Sequence, residues 1–171
     1  VELAIPAETK FEPELELAQI GWGFRDLFET EGPIDRQGSC NNDVVCSVGD
    51  PWRDDIASEA TYSTGGSTFC SGQMLTNTNN DYRNFFLTAY HCGINSSNAA
   101  SMVVYWNFES PNCGDLCCGS LSDNQTGATF RARRSESDFC LVELTQDPDP
   151  SFGVFYAGFD ATGDAVASAV A

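Results

Sequence analysis

The sequence predicts an all-β protein, and three observations carry that expectation. Short apolar runs recur along the chain, at Thr68–Leu75, Phe85–Leu87, Met102–Trp106 and Phe139–Leu144, each with the length and aromatic or branched content of a strand. Turn-rich stretches separate them, at Asn77–Asp81, Asn95–Asn98 and Ser110–Gly127. Only Trp52–Ala60, following Pro51, has the makings of a short helix. Many short strands with such turns suggest a barrel or a sandwich.

The chain has 171 residues, 42% of them hydrophobic, which suffices for a packed core and argues against wholesale disorder. No stretch approaches the apolar length of a membrane-spanning helix, so no membrane partner is expected. The first residue is Val1, and no basic segment followed by an apolar run precedes the body of the chain; any secretion signal is expected to have been removed or not to be included in this sequence. Residues 1–38 are acidic, cysteine-free and punctuated by Pro6, Pro13 and Pro33, with one alternating strand-like run from Ala18 to Phe24. They read as an N-terminal extension or the remnant of a pro-segment.

The formal net charge of −17 disfavours nucleic acid as a partner, because a polyanion would be repelled. A solvated acidic surface is the simple account. Lys10 is the one lysine among eight basic residues, which would also suit an enzyme that cleaves after lysine and must spare itself. Eight cysteines in a chain this size point to disulfides and an oxidising, extracellular compartment. Zinc is a weaker reading. Cys113, Cys117 and Cys118 cluster, but His91 is the single histidine and no second cysteine knuckle accompanies them, so neither a metal nor another cofactor is expected. Asn95-Ser96-Ser97 and Asn124-Gln125-Thr126 match the glycosylation sequon, a pattern that recurs by chance.

The strongest local signal is Leu87-Thr88-Ala89-Tyr90-His91-Cys92. An imidazole used as a general base needs a fixed position and tautomer, and here it follows an apolar strand and adjoins a cysteine that can be stapled. Cys70 is the readable partner of Cys92; bridging them closes a loop of about 22 residues, contributing roughly 3 kcal/mol in the loop-entropy relation. A base of this kind also needs a carboxylate to orient it. Among 25 acidic residues, Asp138 stands out because Phe139-Cys140-Leu141-Val142-Glu143-Leu144 follows directly as an alternating strand that can anchor it.

These segments resemble the chymotrypsin-like serine proteases. Thr88-Ala89-Tyr90-His91-Cys92 is similar to the Thr-Ala-x-His-Cys frame of the catalytic histidine, Phe69-Cys70-Ser71-Gly72-Gln73-Met74-Leu75 to the strand that pairs with it, and Asp138–Leu144 to the segment that supplies the aspartate. Ser39–Cys46, Val103–Asn107 and Phe155–Asp160 further resemble bacterial lysyl endopeptidases, from about Ser39 to Ala171. The resemblance implies a chymotrypsin-like first β-barrel over residues 39–148, carrying His91 and Asp138, and a crossover with the start of a truncated second barrel over 149–171. It implies serine-type endopeptidase chemistry on protein or peptide substrates, and a disulfide between Cys46 and Cys113. Cys40 would bridge to a cysteine in the C-terminal half, here missing, while the pairing of Cys117, Cys118 and Cys140 stays open.

In that class the serine follows the aspartate in a Gly-x-Ser-Gly-type loop. None follows Asp138: Ser151 and Ser168 lack flanking glycines, and Gly65-Gly66-Ser67 precedes His91 and reads as a hairpin turn. The expectation is an N-terminal fragment of a longer peptidase, inert by itself because nucleophile and oxyanion donors are absent. Rival readings are a secreted pseudo-protease acting as a binding module, a metal-binding domain built on Cys113–Cys118, and a Cys92 nucleophile. The last is disfavoured because adjacent strand residues point to opposite faces and a disulfide to Cys70 already accounts for the thiol.

Overall fold

The computed structural model describes residues 42–66, 68–115 and 119–163. The Ala18–Phe24 run, Cys40, Ser67, Cys117, Cys118 and the stretch from Asp164 onward lie outside the described residues.

Seven strands form one antiparallel sheet: β1 (Glu59–Thr64), β2 (Thr68–Leu75), β3 (Phe85–Ala89), β4 (Val103–Trp106), β5 (Asn124–Thr126), β6 (Ala128–Arg134) and β7 (Phe139–Leu144), in the order β5-β4-β1-β2-β3-β7-β6. The strands at the two ends of that order, β5 and β6, are consecutive in the chain and separated only by Gly127. The sheet must therefore curl until its edges meet. Gly127 marks the seam: its N–H donates to the Met102 carbonyl at the foot of β4, and its carbonyl accepts from the Thr145 N–H just beyond β7. Its φ of 97° lies in the left-handed region open to glycine. The result is the all-β, chymotrypsin-like barrel architecture expected from the sequence.

Alternation along the strands decides what faces inward. In β3, β4 and β7 every second residue is buried, giving Phe86, Val104, Trp106, Cys140, Val142 and Leu144 to the interior. Phe86 stands edge-on to Tyr62 and to Trp106, with ring centroids 5.8 and 6.0 Å apart. The Trp106 indole N–H donates to Gln125 at 3.0 Å, so the polar end of this core residue is satisfied. Gly72 of β2 leaves room for the Phe86 ring, which an added Cβ would meet at 2.4 Å.

Four elements depart from the sequence expectations. The helical segment begins earlier, as a 3₁₀ turn at Ser47–Trp52 that continues into the four-residue α1 (Arg53–Ile56), and Glu59 and Ala60 already belong to β1. The Ser58 hydroxyl and N–H both bond the Asp55 carbonyl, closing the last turn. Strand β5 falls inside the stretch read as turns, because three polar residues carry no apolar pattern. Strands β1 and β6 had no apolar alternation to reveal them: β1 reads Glu-Ala-Thr-Tyr-Ser-Thr, and β6 holds three arginines at a sheet edge.

The described part of the segment expected to cross to a second barrel stays against the first. After a 3₁₀ turn at Pro150–Phe152, capped by the Asp149 carboxylate, Ala157 bridges Leu75 and exchanges backbone bonds with Met74 and Thr76 at 2.9 Å. The Tyr156 hydroxyl donates to Asn84 at 2.7 Å. Among the described residues no helix is long and apolar enough to cross a membrane.

Candidate active site

Antiparallel pairing of β3 with β7 builds the site. Ala89, the last residue of β3, lies opposite Phe139, the first residue of β7. The chain leaving β3 therefore runs beside the chain about to enter β7, and His91 meets Asp138 although they are 47 residues apart in sequence.

Tyr90–Cys92 forms a 3₁₀ turn, closed by Gly93 in a left-handed conformation with φ 78°. His91 thus sits on a turn rather than on a strand, which corrects the strand-based argument against a Cys92 nucleophile; the Cys70–Cys92 disulfide is what removes that thiol. The bridge ties the turn to β2, with 6.3 Å between Cα atoms. Behind it, the Thr88 hydroxyl donates to the Ser71 carbonyl at 2.8 Å and so accepts the Tyr62 hydroxyl proton, also at 2.8 Å. This small network pins the end of β3 to β1 and β2. Burial pushes the Tyr62 phenol up to about 12, so it remains a donor.

Asp138 follows a 3₁₀ turn at Ser135–Ser137 and adopts φ 50°, ψ 33°, a left-handed conformation that aspartate tolerates better than most side chains. That conformation aims three acceptors at the histidine turn. The Asp138 carbonyl accepts the Tyr90 N–H at 2.9 Å, Oδ1 accepts the His91 N–H at 2.9 Å, and Oδ2 lies 2.6 Å from His91 Nδ1. The His91 backbone N–H, followed by the His91 ring, holds the Asp138 carboxyl below the usual aspartate range. An ionised carboxylate only accepts, so Nδ1 carries a ring proton, and in the neutral imidazole Nε2 is the acceptor. Among the described residues nothing hydrogen-bonds Nε2. The His91 side chain is 71% exposed.

The second disulfide joins Cys46 to Cys113 and fastens the segment before the first 3₁₀ turn to the loop after β4. Cys140 is a free, buried thiol on the core face of β7. The sulfurs of Cys70 and Cys92 and a ring nitrogen of His91 lie within 4.8 Å of one another, a donor set that would suit a soft metal as thiolates. Bonded to each other, these sulfurs are not thiolates and do not fit that role.

The family model for the C-terminal domain of lysyl endopeptidase matches residues 34–171. The chain belongs to the lysyl endopeptidase family. A lysyl endopeptidase of Pseudomonas aeruginosa is 31% identical over 184 aligned residues, covering 95% of this chain and 38% of that relative. The chain thus spans about 38% of the length of the curated relative it matches.

Within this lysyl endopeptidase-family barrel, two contacts of the site had no signal in the apolar pattern. One is the Tyr62–Thr88 hydroxyl pair, hidden in polar β1. The other is Arg133 of β6. Its guanidinium lies 5.0 Å from the centre of the Tyr90 ring and donates to the Ile94 carbonyl at 3.2 Å.

Proposed function

We propose that this chain supplies the histidine and the carboxylate of a secreted serine-type endopeptidase that cleaves after lysine. The observation that carries the reading is the 2.6 Å contact between His91 Nδ1 and Asp138, which leaves the other ring nitrogen, Nε2, open to solvent. A serine hydroxyl placed at Nε2 gives up its proton to His91 as its oxygen bonds the scissile carbonyl carbon. His91 then protonates the departing amine as the C–N bond breaks, and the cycle repeats with water to release the acyl group. Asp138 orients the ring and offsets the charge of the imidazolium. The serine and the oxyanion donors come from sequence outside these 171 residues, so this chain by itself is inert.

Two intrachain disulfides support an oxidising compartment. Lysine specificity rests on the family alone, whose relative carries it in its name. An active-site ester titrant tests the proposal. The 171-residue chain should give no burst, while the parent protein should give one per molecule and hydrolyse bonds after lysine. His91→Ala in the parent should lower the rate about 10⁴-fold or more. A parent protein that binds peptides but turns none over, or a burst from this chain alone, would overturn it.

A further inference from the structure

We infer that Arg133 is a positioning residue for His91, helping to hold the turn that carries the imidazole. The inference rests on the reading of His91 as the proton carrier. Three arginines leave β6, and two of them pair with carboxylates: Arg131 with Glu143 and Arg134 with Glu136. Arg133 does not, in a chain of net charge −17. Among the described residues no carboxylate pairs with it; its partners are a ring and a carbonyl, both on the segment that carries His91. A guanidinium that forgoes abundant acidic partners for these two is spending its planar fork on geometry.

The two partners bracket the histidine. Tyr90 precedes His91 and Ile94 follows it by three residues, so one planar group holds both ends of a single turn. The other restraints act from different sides. The disulfide pulls Cys92 toward β2, and Asp138 pulls the Tyr90 and His91 N–H groups toward the start of β7. Asn95 and Asn98 also donate to the Gly93 carbonyl, each at 3.1 Å, and Arg133 adds a restraint that reaches the turn from β6. Its footing is firm, because Arg133 is paired in register with Cys140 of β7 and Cys140 with Thr88 of β3.

His91 is the single histidine, so its Nδ1–H proton in the 171-residue chain is read by NMR without assignment ambiguity. In Arg133→Ala that proton should exchange with solvent roughly tenfold faster, the order expected when a cation–π contact and a guanidinium hydrogen bond are lost together. The Trp106 indole proton, bonded to Gln125 in the core, should not change. Arg133→Lys retains the cation without the fork and should restore part of the protection. If the alanine variant does not fold, Tyr90→Leu removes the ring alone and should accelerate the same proton. Unchanged Nδ1–H exchange in a folded variant overturns the inference, and so does equal loosening of the Trp106 proton, which would mean a general structural role. This readout needs no turnover, so a failed peptidase assay and a failed positioning role are told apart.

Discussion

Asp138 grips His91 at two points at once: Oδ1 takes its backbone N–H at 2.9 Å while Oδ2 meets its ring Nδ1 at 2.6 Å. One carboxylate thereby fixes both where the histidine backbone lies and which way its ring turns.

Asp138→Asn keeps the shape but turns one of those acceptors into a donor. The amide then favours the wrong ring tautomer, and activity of the parent protein should fall about 10⁴-fold with little change in substrate binding. Separate kcat and KM measurements check this. In the 171-residue chain the protected Nδ1–H signal of His91 should disappear.

Replacing Cys70 and Cys92 together by serine should cost about 3 kcal/mol of stability, the loop-entropy contribution of a bridge spanning 22 residues. Denaturant titration measures it. Because the bridge holds the histidine turn against β2, the same variant should broaden the His91 resonances while those of Trp106, on β4, stay sharp.

Glu143 shapes the acid limb of stability. Arg83 binds it through two bonds, at 3.0 and 2.6 Å, and Arg131 adds a third at 2.6 Å. These bonds, Arg83 first, hold its carboxyl below the ordinary 4.5. The ionised form stabilises the fold at every pH above 4.5, and this contribution disappears as pH falls through the lower value of the folded state. In Glu143→Gln the drop in urea midpoint below pH 4.5 should be shallower than in the parent sequence.

Gly72→Ala should destabilise the barrel by about 1–3 kcal/mol, the usual range for an overpacked core. The new methyl would meet the Phe86 ring at 2.4 Å and the Leu87 carbonyl at 2.5 Å, and that carbonyl is backbone that cannot step aside. A lowered melting temperature with unchanged strand content in circular dichroism is the expected result.

How much of this could be read from the residues depended on where apolar side chains fall. Strands β2 and β7 announce themselves because Thr68–Leu75 and Phe139–Leu144 are apolar and lie between clear turns. Thr88 to Cys92 stood out because a hydroxyl, a histidine and a cysteine are dense in chemistry over so few positions. Strand β1 stayed hidden because its buried residues include Ser63 and Thr64, hydroxyl residues that carry no hydrophobic signature. Strand β6 stayed hidden because an edge strand can afford three arginines, one of which is Arg133. The left-handed backbone of Asp138 leaves no trace in composition, since aspartate occupies ordinary conformations elsewhere.

The pairing of β3 with β7 has a consequence for when chemistry becomes available during synthesis. His91 leaves the ribosome 47 residues before its carboxylate does, and the hairpin of β2 and β3 can form well before β7 exists to join it. A nascent chain stalled anywhere between them carries an imidazole with no orienting partner. The contact between the two groups is therefore withheld until the sheet has folded back on itself, and any local opening of β7 undoes it.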